Sequence, residues 1–259
     1  MFFSGSGQCT IPIVWLSERL FFNMKFILFC YPRTGSTLIC KALNAHPDFV
    51  FGQEMFNARY APECASVGPA WREAVFKKCF GKSLDKLTTT SFSHNIKETH
   101  LNTIDYDYSC YLDHLFDKLD GFKIISNQIH CDSKIWDQLL DRKVKFIFLE
   151  RNVEESCRSF HTSIKTRIWH SEKPVNLPPV DVDEAGIVDF TNYFVGAYNK
   201  VKMKLSTPEN HIVLNYSEIA DQWDSLCDKL CCFLGIKPMV LPKLLSKLGK
   251  SDIGKKFFL

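Results

Sequence analysis

Several familiar signals are missing from this 259-residue chain. There is no GxxxxGK[ST] pattern, so the loop that grips a nucleoside triphosphate through its lysine is absent, and with it the usual kinase or ATPase reading. The eleven cysteines form no CxxC pair and no zinc spacing, which excludes the common structural zinc modules. Charge of one sign is scarce in excess. Lys and Arg number 32, Asp and Glu 29, and the net charge of +3 is far from that of a general nucleic-acid binder. Long apolar runs are also lacking. The most apolar early stretch, residues 11–22 (IPIVWLSERLFF), is interrupted by Glu18 and Arg19 and is too short to span a bilayer. It carries neither a basic flank before it nor a small-residue cleavage site after it. Residues 1–23 therefore read as an extension ahead of one domain, residues 24–259. No internal repeat or low-complexity segment appears.

Hydrophobic residues make up 46% of the chain and charged residues 24%, a balance that supports a sizeable core. An odd cysteine count in a chain this large reads as mostly reduced thiols and a cytoplasmic setting. Cys231-Cys232 lies in an apolar helical run and reads as core. Four short apolar runs have the character of buried parallel strands: Phe26–Cys30, Phe122–Ser126, Lys145–Leu149 and His211–Asn215. Helical patterns alternate with them over Thr37–Asn44, Tyr108–Leu119, Ser133–Leu140, Glu154–Ile168, Val188–Leu205 and Asp221–Leu234, the last stopped by Gly235. Residues 171–186, with Pro174, Pro178 and Pro179, read as a surface loop. This alternation implies an α/β fold of three layers around a central parallel sheet. Ligands of such folds sit at the carboxyl ends of the strands.

The first strand runs into YPRTGST, residues 31–37, and then into an apolar helix pattern. Gly35 permits close backbone approach. The N–H groups that open the helix favour an anion, and Ser36 and Thr37 add hydroxyl donors. Arg33 adds a permanent cation able to make two hydrogen bonds to one anionic group. The third strand ends in ERNVEESCRSF, with Arg151 just past it and Ser159 eight residues on, inside the next helix. A strand-end arginine and a serine two turns into the helix can converge on one phosphate. Equally, Arg151 can pair with Glu154 or Glu155 on a solvated helix.

Taken together, these two loops resemble the cofactor signatures of the sulfotransferases that use 3′-phosphoadenosine 5′-phosphosulfate (PAPS). The family's P-[KR]-[ST]-G-[ST]-[ST] loop is matched by Pro32, Arg33, Thr34, Gly35, Ser36 and Thr37, and its R-x₇-S element by Arg151 and Ser159. GQEMFN (52–57), GFKIISNQI (121–129), KIWDQLLDRKVKFIFLERN (134–152) and KTRIWHS (165–171) are similar to the subgroup with the bacterial trehalose and Nod-factor sulfotransferases. The resemblance covers roughly residues 25–235. It implies a P-loop, nucleotide-kinase-like sulfotransferase fold, PAPS as co-substrate with no metal, and a carbohydrate or glycolipid-like hydroxyl as acceptor.

The resemblance also implies roles. The first loop would hold the 5′-phosphosulfate, with Arg33 at the leaving oxygen. Arg151 and Ser159 would hold the 3′-phosphate. Glu54, 21 residues after Arg33, is the first choice for the base that takes the acceptor's proton; the plainer reading is a surface acid in the loop after a helix. His130, after the second strand, is the next choice. His100, in KETHL, superficially matches the histidine of the family's KTHLP segment, but GFKIIS already fills that place in the strand order. Lys123, Gln128 and Trp136 match family positions with a structural role open. Arg167 and Trp169 are candidates for lining the acceptor or nucleotide site. LGKSDIGKK (248–256) resembles the basic segment the family closes over the 3′-phosphate, or is a solvated basic tail. Two other readings remain: a catalytically silent nucleotide-binding protein, and a nucleotide kinase-like phosphotransferase.

Overall fold

A computed structural model describes residues 24–47, 49–57, 68–83, 88–93, 96–101, 106–169, 180–207, 209–237 and 241–242, with backbone alone over 88–101. The proposed extension 1–23 and the basic segment 248–256 lie outside the described residues, as do most of the 171–186 loop and parts of the stretches flanking the acceptor side.

Five strands form the central sheet: β1 (Phe26–Cys30), β2 (Phe51–Glu54), β5 (Gly121–Ile125), β6 (Lys145–Glu150) and β7 (His211–Asn215). They are all parallel, in the order β2-β5-β1-β6-β7. β1 is the centre because FILFC is apolar at every position and buried at every position, as a strand covered on both faces must be. Its alternate side chains feed two separate cores. Ile27, Phe29 and Tyr31 pack with the helices of one face, α2 (Pro69–Phe80), α3 (Ser109–Lys118), α4 (Ile135–Asp141) and α7 (Gly196–Leu205). Phe26, Leu28 and Cys30 pack with α1 (Ser36–Asn44) and α9 (Trp223–Leu234) on the other. This is the three-layer α/β arrangement the alternation of patterns implies.

Register puts the functional ends together. Cys30 lies opposite Ile125 of β5 and Leu149 of β6, so the loops after these three strands leave the sheet side by side. A short antiparallel hairpin, β3 (Thr88–Ser93) with β4 (Ile96–Leu101), forms a separate sheet. KETHL belongs to it, so His100 is not on a central strand, while GFKII is.

Several sequence boundaries need correction. Val188–Leu205 is helical throughout, as its pattern implies, but the helical run begins earlier, at Glu184, and holds a π turn. The run comprises α6 (Glu184–Phe190), a π-helical turn at Thr191–Val195, and α7. Within the turn the Phe194 carbonyl accepts from Ser126 Oγ at 2.8 Å, which ties this segment to the end of β5. Asp221–Leu234 corresponds to α9, which starts at Trp223, and a separate short helix that the apolar pattern does not show, α8 (Tyr216–Asp221), precedes it. Asn215 caps α8 in a reciprocal box with Glu218, a start signal the apolar pattern does not carry. The end of the 171–186 loop is already helical, since Asp183 caps α6 by accepting from the Gly186 N–H. Of the cysteines, Cys79 and Cys110 are disulfide-bonded and seven others among the described residues are free. Cys231 is core, as expected, but Cys232 is exposed. No helix among the described residues is long and apolar enough to cross a membrane.

Candidate active site

The loop after β1 is bent by two residues in the left-handed region, Arg33 (φ 71°) and Gly35 (φ 86°). For glycine this is cheap. For arginine it costs about 1–2 kcal/mol and persists only where the surroundings impose it. A Cβ at Gly35 would stand 3.1 Å from both Tyr216 and Ile219 of α8, so α8 pads the outer side of the loop. Thr34 is buried and donates to the Tyr31 carbonyl at 3.2 Å. Ser36 and Thr37, also buried, open α1. The first N–H groups of α1 have no intrahelical acceptor, and Gly35 offers no side-chain cap.

The loop after β6 meets this one directly. Asn152 caps α5 (Val153–Thr166) through the Glu155 N–H at 3.0 Å. That fixes the helix start and carries Ser159 two turns along. Arg33 Nε donates to Ser159 Oγ at 3.0 Å. Arg151 Nη1 donates to the Arg33 carbonyl at 3.1 Å. Tyr31 stitches the same junction: its hydroxyl accepts from the Arg151 N–H at 2.7 Å and donates to the Arg151 carbonyl. Thus two segments some 120 residues apart in sequence form one cationic corner.

The two arginines differ in their neutralisation. Arg151 is only 8% exposed in its side chain. It donates to Glu155 Oε2 through Nε and Nη2, both at 3.1 Å, and lies 4.0 Å from the Tyr216 ring. The Glu155 pairing weighed from the sequence therefore exists, but buried at the loop junction rather than on a solvated helix; Glu154 pairs with Arg158 instead. Arg33 has no carboxylate partner among the described residues. Its Nη1 donates to the Trp169 carbonyl at 2.6 Å, and its guanidinium lies 6.0 Å from the Trp169 ring. Burial, with the neighbouring Arg151 charge, lowers the Arg33 guanidinium to about 10. Arginine does not give up its proton in proteins. Desolvation and a like neighbouring charge both disfavour the Arg33 cation, and an anion beside it would relieve both.

A second cluster sits at the ends of β2 and β5. Glu54 is the last residue of a strand, not part of a loop after a helix, and its side chain is 13% exposed. It pairs with Lys123 across the β2–β5 bulge, Nζ to Oε1 at 2.9 Å. Gln128 Nε2 and Asn57 Nδ2 donate to Oε2 at 2.8 and 2.7 Å. Burial opposes the charge on Lys123, but the Glu54 carboxylate, together with Cys40 and Cys30 nearby, holds the ammonium above its usual range. Lys123 Nζ also reaches Thr37 Oγ1 at 3.4 Å, which links this cluster to the first loop. Backbone anchors complete it. Arg72 Nη1 of α2 donates to the Glu54 and Asn57 carbonyls at 3.3 and 2.8 Å, and Tyr111 Oη of α3 donates to the Met55 carbonyl at 3.0 Å.

The remaining candidates fall elsewhere. His130 is 43% exposed in its side chain and folds onto its own turn, with Nδ1 accepting from the Asp132 N–H at 3.2 Å. Among the described residues no contact joins its ring to Arg33 or Glu54. Trp136 is core: it is fully buried, edge-on to Phe29, and its Nε1 donates to the His130 carbonyl at 2.9 Å. Arg167 ends α5 in a left-handed conformation, and Trp169, 40% exposed, rests edge-on against Phe160. A cavity of about 580 Å³ opens beside Arg151, walled in part by Tyr31, Asn152, Tyr198, Asn199, Tyr216 and Ser217. Sequence reasoning did not single out Tyr31, Asn57, Arg72, Tyr111 or Tyr216. Tyr31 and Asn57 at least adjoin the quoted motifs; Arg72, Tyr111 and Tyr216 act by reaching across the fold, and no local pattern announces that.

Comparison with known proteins adds the following. No protein-family model matches the sequence, and no curated protein does. Among solved structures, the chain is similar to mouse sulfotransferase SULT7A1 complexed with PAP, at 13% identity and TM-score 0.42, covering 83% of this chain and 59% of that one. It is similar to a sulfotransferase from Alicyclobacillus acidocaldarius at 14% identity and TM-score 0.48, covering 90% and 89%. It is also similar to sulfotransferase STF1 from Mycobacterium tuberculosis at 18% identity and TM-score 0.43, covering 86% and 71%. This chain spans 59% of the length of the mouse chain. Likeness at these scores carries no argument about activity, so the functional reading rests on the residues of the site.

Proposed function

We propose that this protein is a PAPS-dependent sulfotransferase. It moves a sulfuryl group from PAPS to a hydroxyl of a carbohydrate or glycolipid-like acceptor, leaving a sulfate ester and adenosine 3′,5′-bisphosphate (PAP). The observation that carries the proposal is the joining of the two loops. Arg33 bonds Ser159, Arg151 bonds the Arg33 backbone, and Arg33 keeps a half-buried charge with no carboxylate partner among the described residues.

This donor set fits a phosphosulfate. The opening N–H groups of α1 and the Ser36 and Thr37 hydroxyls suit its equatorial oxygens. Arg33 suits the bridging oxygen, where charge gathers as the sulfur–oxygen bond breaks. Arg151 and Ser159 suit the 3′-phosphate, and the adjoining cavity has room for a nucleoside. As the acceptor oxygen bonds to sulfur and the sulfur–phosphate oxygen bond breaks, the hydroxyl proton passes to Glu54. Lys123, Gln128 and Asn57 orient that carboxylate. No step in this scheme calls for a metal ion.

One observation favours a second reading, a catalytically silent binder of the same nucleotide. Three side chains already donate to the Glu54 carboxylate, which leaves it few free lone pairs for a proton. A labelled-PAPS screen against sugars, glycolipids and small phenols separates the two. The enzyme reading expects a sulfated sugar or glycolipid. It also expects Glu54→Gln to keep PAP affinity while losing about 10²–10⁴-fold in turnover. Unchanged turnover would remove Glu54 as the base, and PAP binding with no product from any acceptor would favour the silent binder.

A further inference from the structure

We propose that Cys79 and Cys110 form a reversible disulfide whose redox state sets how tightly the Glu54 segment is held. The two cysteines join the end of α2 to the start of α3, with Cα atoms 5.8 Å apart and a separation of 31 positions in sequence. That separation suits a disulfide. The same two helices grip the backbone of residues 54–57: Arg72 of α2 holds the Glu54 and Asn57 carbonyls, and Tyr111, next to Cys110, holds that of Met55. Phe76 of α2 packs edge-on against Tyr111 at 5.0 Å, which couples the two grips.

α2 docks through the buried Arg72, Val75 and Phe76 and the half-buried Trp71 and Phe80, the last packed on Tyr106, Tyr108 and Tyr111. The covalent tie adds to that docking at the end of the helix that grips residues 54–57. The site is also built for exchange. Cys110 is exposed and Cys79 half-buried, so Cys110 is the sulfur a small thiol attacks. His114 Nδ1 donates to the Cys110 carbonyl at 2.8 Å and lies 3.9 Å from Cys110 Sγ, and Lys78 Nζ donates to His114 Nε2 at 3.2 Å. Attack on Cys110 expels Cys79 as the thiolate, and the nearby Lys78 cation favours the Cys110 thiolate that serves the reverse exchange. The exchange balances without a metal or other cofactor. Two thiols of a small molecule such as glutathione become its disulfide while Cys79 and Cys110 become thiols, and the reverse exchange restores the bond. An effect on turnover further rests on Glu54 as the base.

The test needs no acceptor. The protein is equilibrated with oxidised or reduced glutathione, and the state of the pair is read by intact mass and peptide mapping. Amide exchange is then followed over residues 51–57 and over the Arg33 loop, with PAP binding measured on the same samples. The oxidised protein should be lighter by two hydrogens, mapped to Cys79–Cys110. Reduction should speed exchange in 51–57 by about tenfold while leaving the Arg33 loop and PAP affinity unchanged. Cys110→Ser and Cys79→Ser should each match the reduced protein in both redox buffers. Failure of the pair to oxidise, or equal exchange in 51–57 with the disulfide mapped as formed, would overturn the proposal. Failure to bind PAP with the exchange effect intact would instead count against the donor reading.

Discussion

Arg33 bears two costs at once: a left-handed backbone and a half-buried charge without a carboxylate among the described residues. Both are expected of a residue held for ligand rather than for stability. Arg33→Gly removes both, and sacrifices the bonds to Ser159 and the Trp169 carbonyl. We expect it to keep or raise the thermal midpoint while weakening PAP binding by about tenfold or more, since a hydrogen bond to a charged group is worth about 1.5–3 kcal/mol. A fall in the midpoint with unchanged PAP affinity would make Arg33 a structural residue. Lys123 presents the opposite case. It is buried beside Glu54 and raised in pKa by that partner. Lys123→Met leaves a carboxylate without its cation, and the expected loss is about 3–5 kcal/mol in chemical denaturation; a loss under 1 kcal/mol would show that Gln128 and Asn57 suffice.

At the scale of elements, close approach of strands decides what the sheet tolerates. A Cβ at Gly121 would lie 2.4 Å from the Phe26 carbonyl oxygen and 2.8 Å from the Phe51 ring. Gly121→Ala should therefore cost about 3 kcal/mol in denaturation, because backbone, unlike a flexible side-chain tip, cannot step aside. A near-neutral result would mean that β5 shifts relative to β1. The elements also show which parts of the fold were legible in the sequence. β1, β5 and β6 announce themselves as apolar runs because a doubly covered parallel strand must be apolar on both faces; the edge strand β7, with only Leu214 buried, still carries the apolar run Ile212–Leu214. β2 does not, since FGQE is short and ends in the polar residues that carry the site. The β3–β4 hairpin, rich in Thr and Ser, gives no such run either. The π-helical turn at Thr191–Val195 also gives no residue signal, and the bond from Ser126 to the Phe194 carbonyl within it is a tertiary contact. The site divides the same way. Pro32–Thr37, Arg151 and Ser159 could be read locally, while the grip of Arg72 and Tyr111 on residues 54–57 appears only once the chain is folded.

For the whole molecule, the topology explains why the two loops meet. β1 lies between β5 and β6 in register, so residues near 33, 126 and 151 emerge along one edge despite their distance in sequence. A ligand that bridges the loops would stabilise the folded state by mass action, by about 2.7 kcal/mol at a hundred times its dissociation constant. The most direct measurement is calorimetric titration of the intact protein with PAP in EDTA, beside ATP with Mg²⁺, repeated with Arg151→Ala. The account predicts saturable PAP binding without metal, a clear preference for PAP over ATP–Mg²⁺, and at least tenfold weaker PAP binding in the variant, because the 3′-phosphate loses its charged partner. Preference for ATP–Mg²⁺, or PAP affinity indifferent to Arg151, would contradict it.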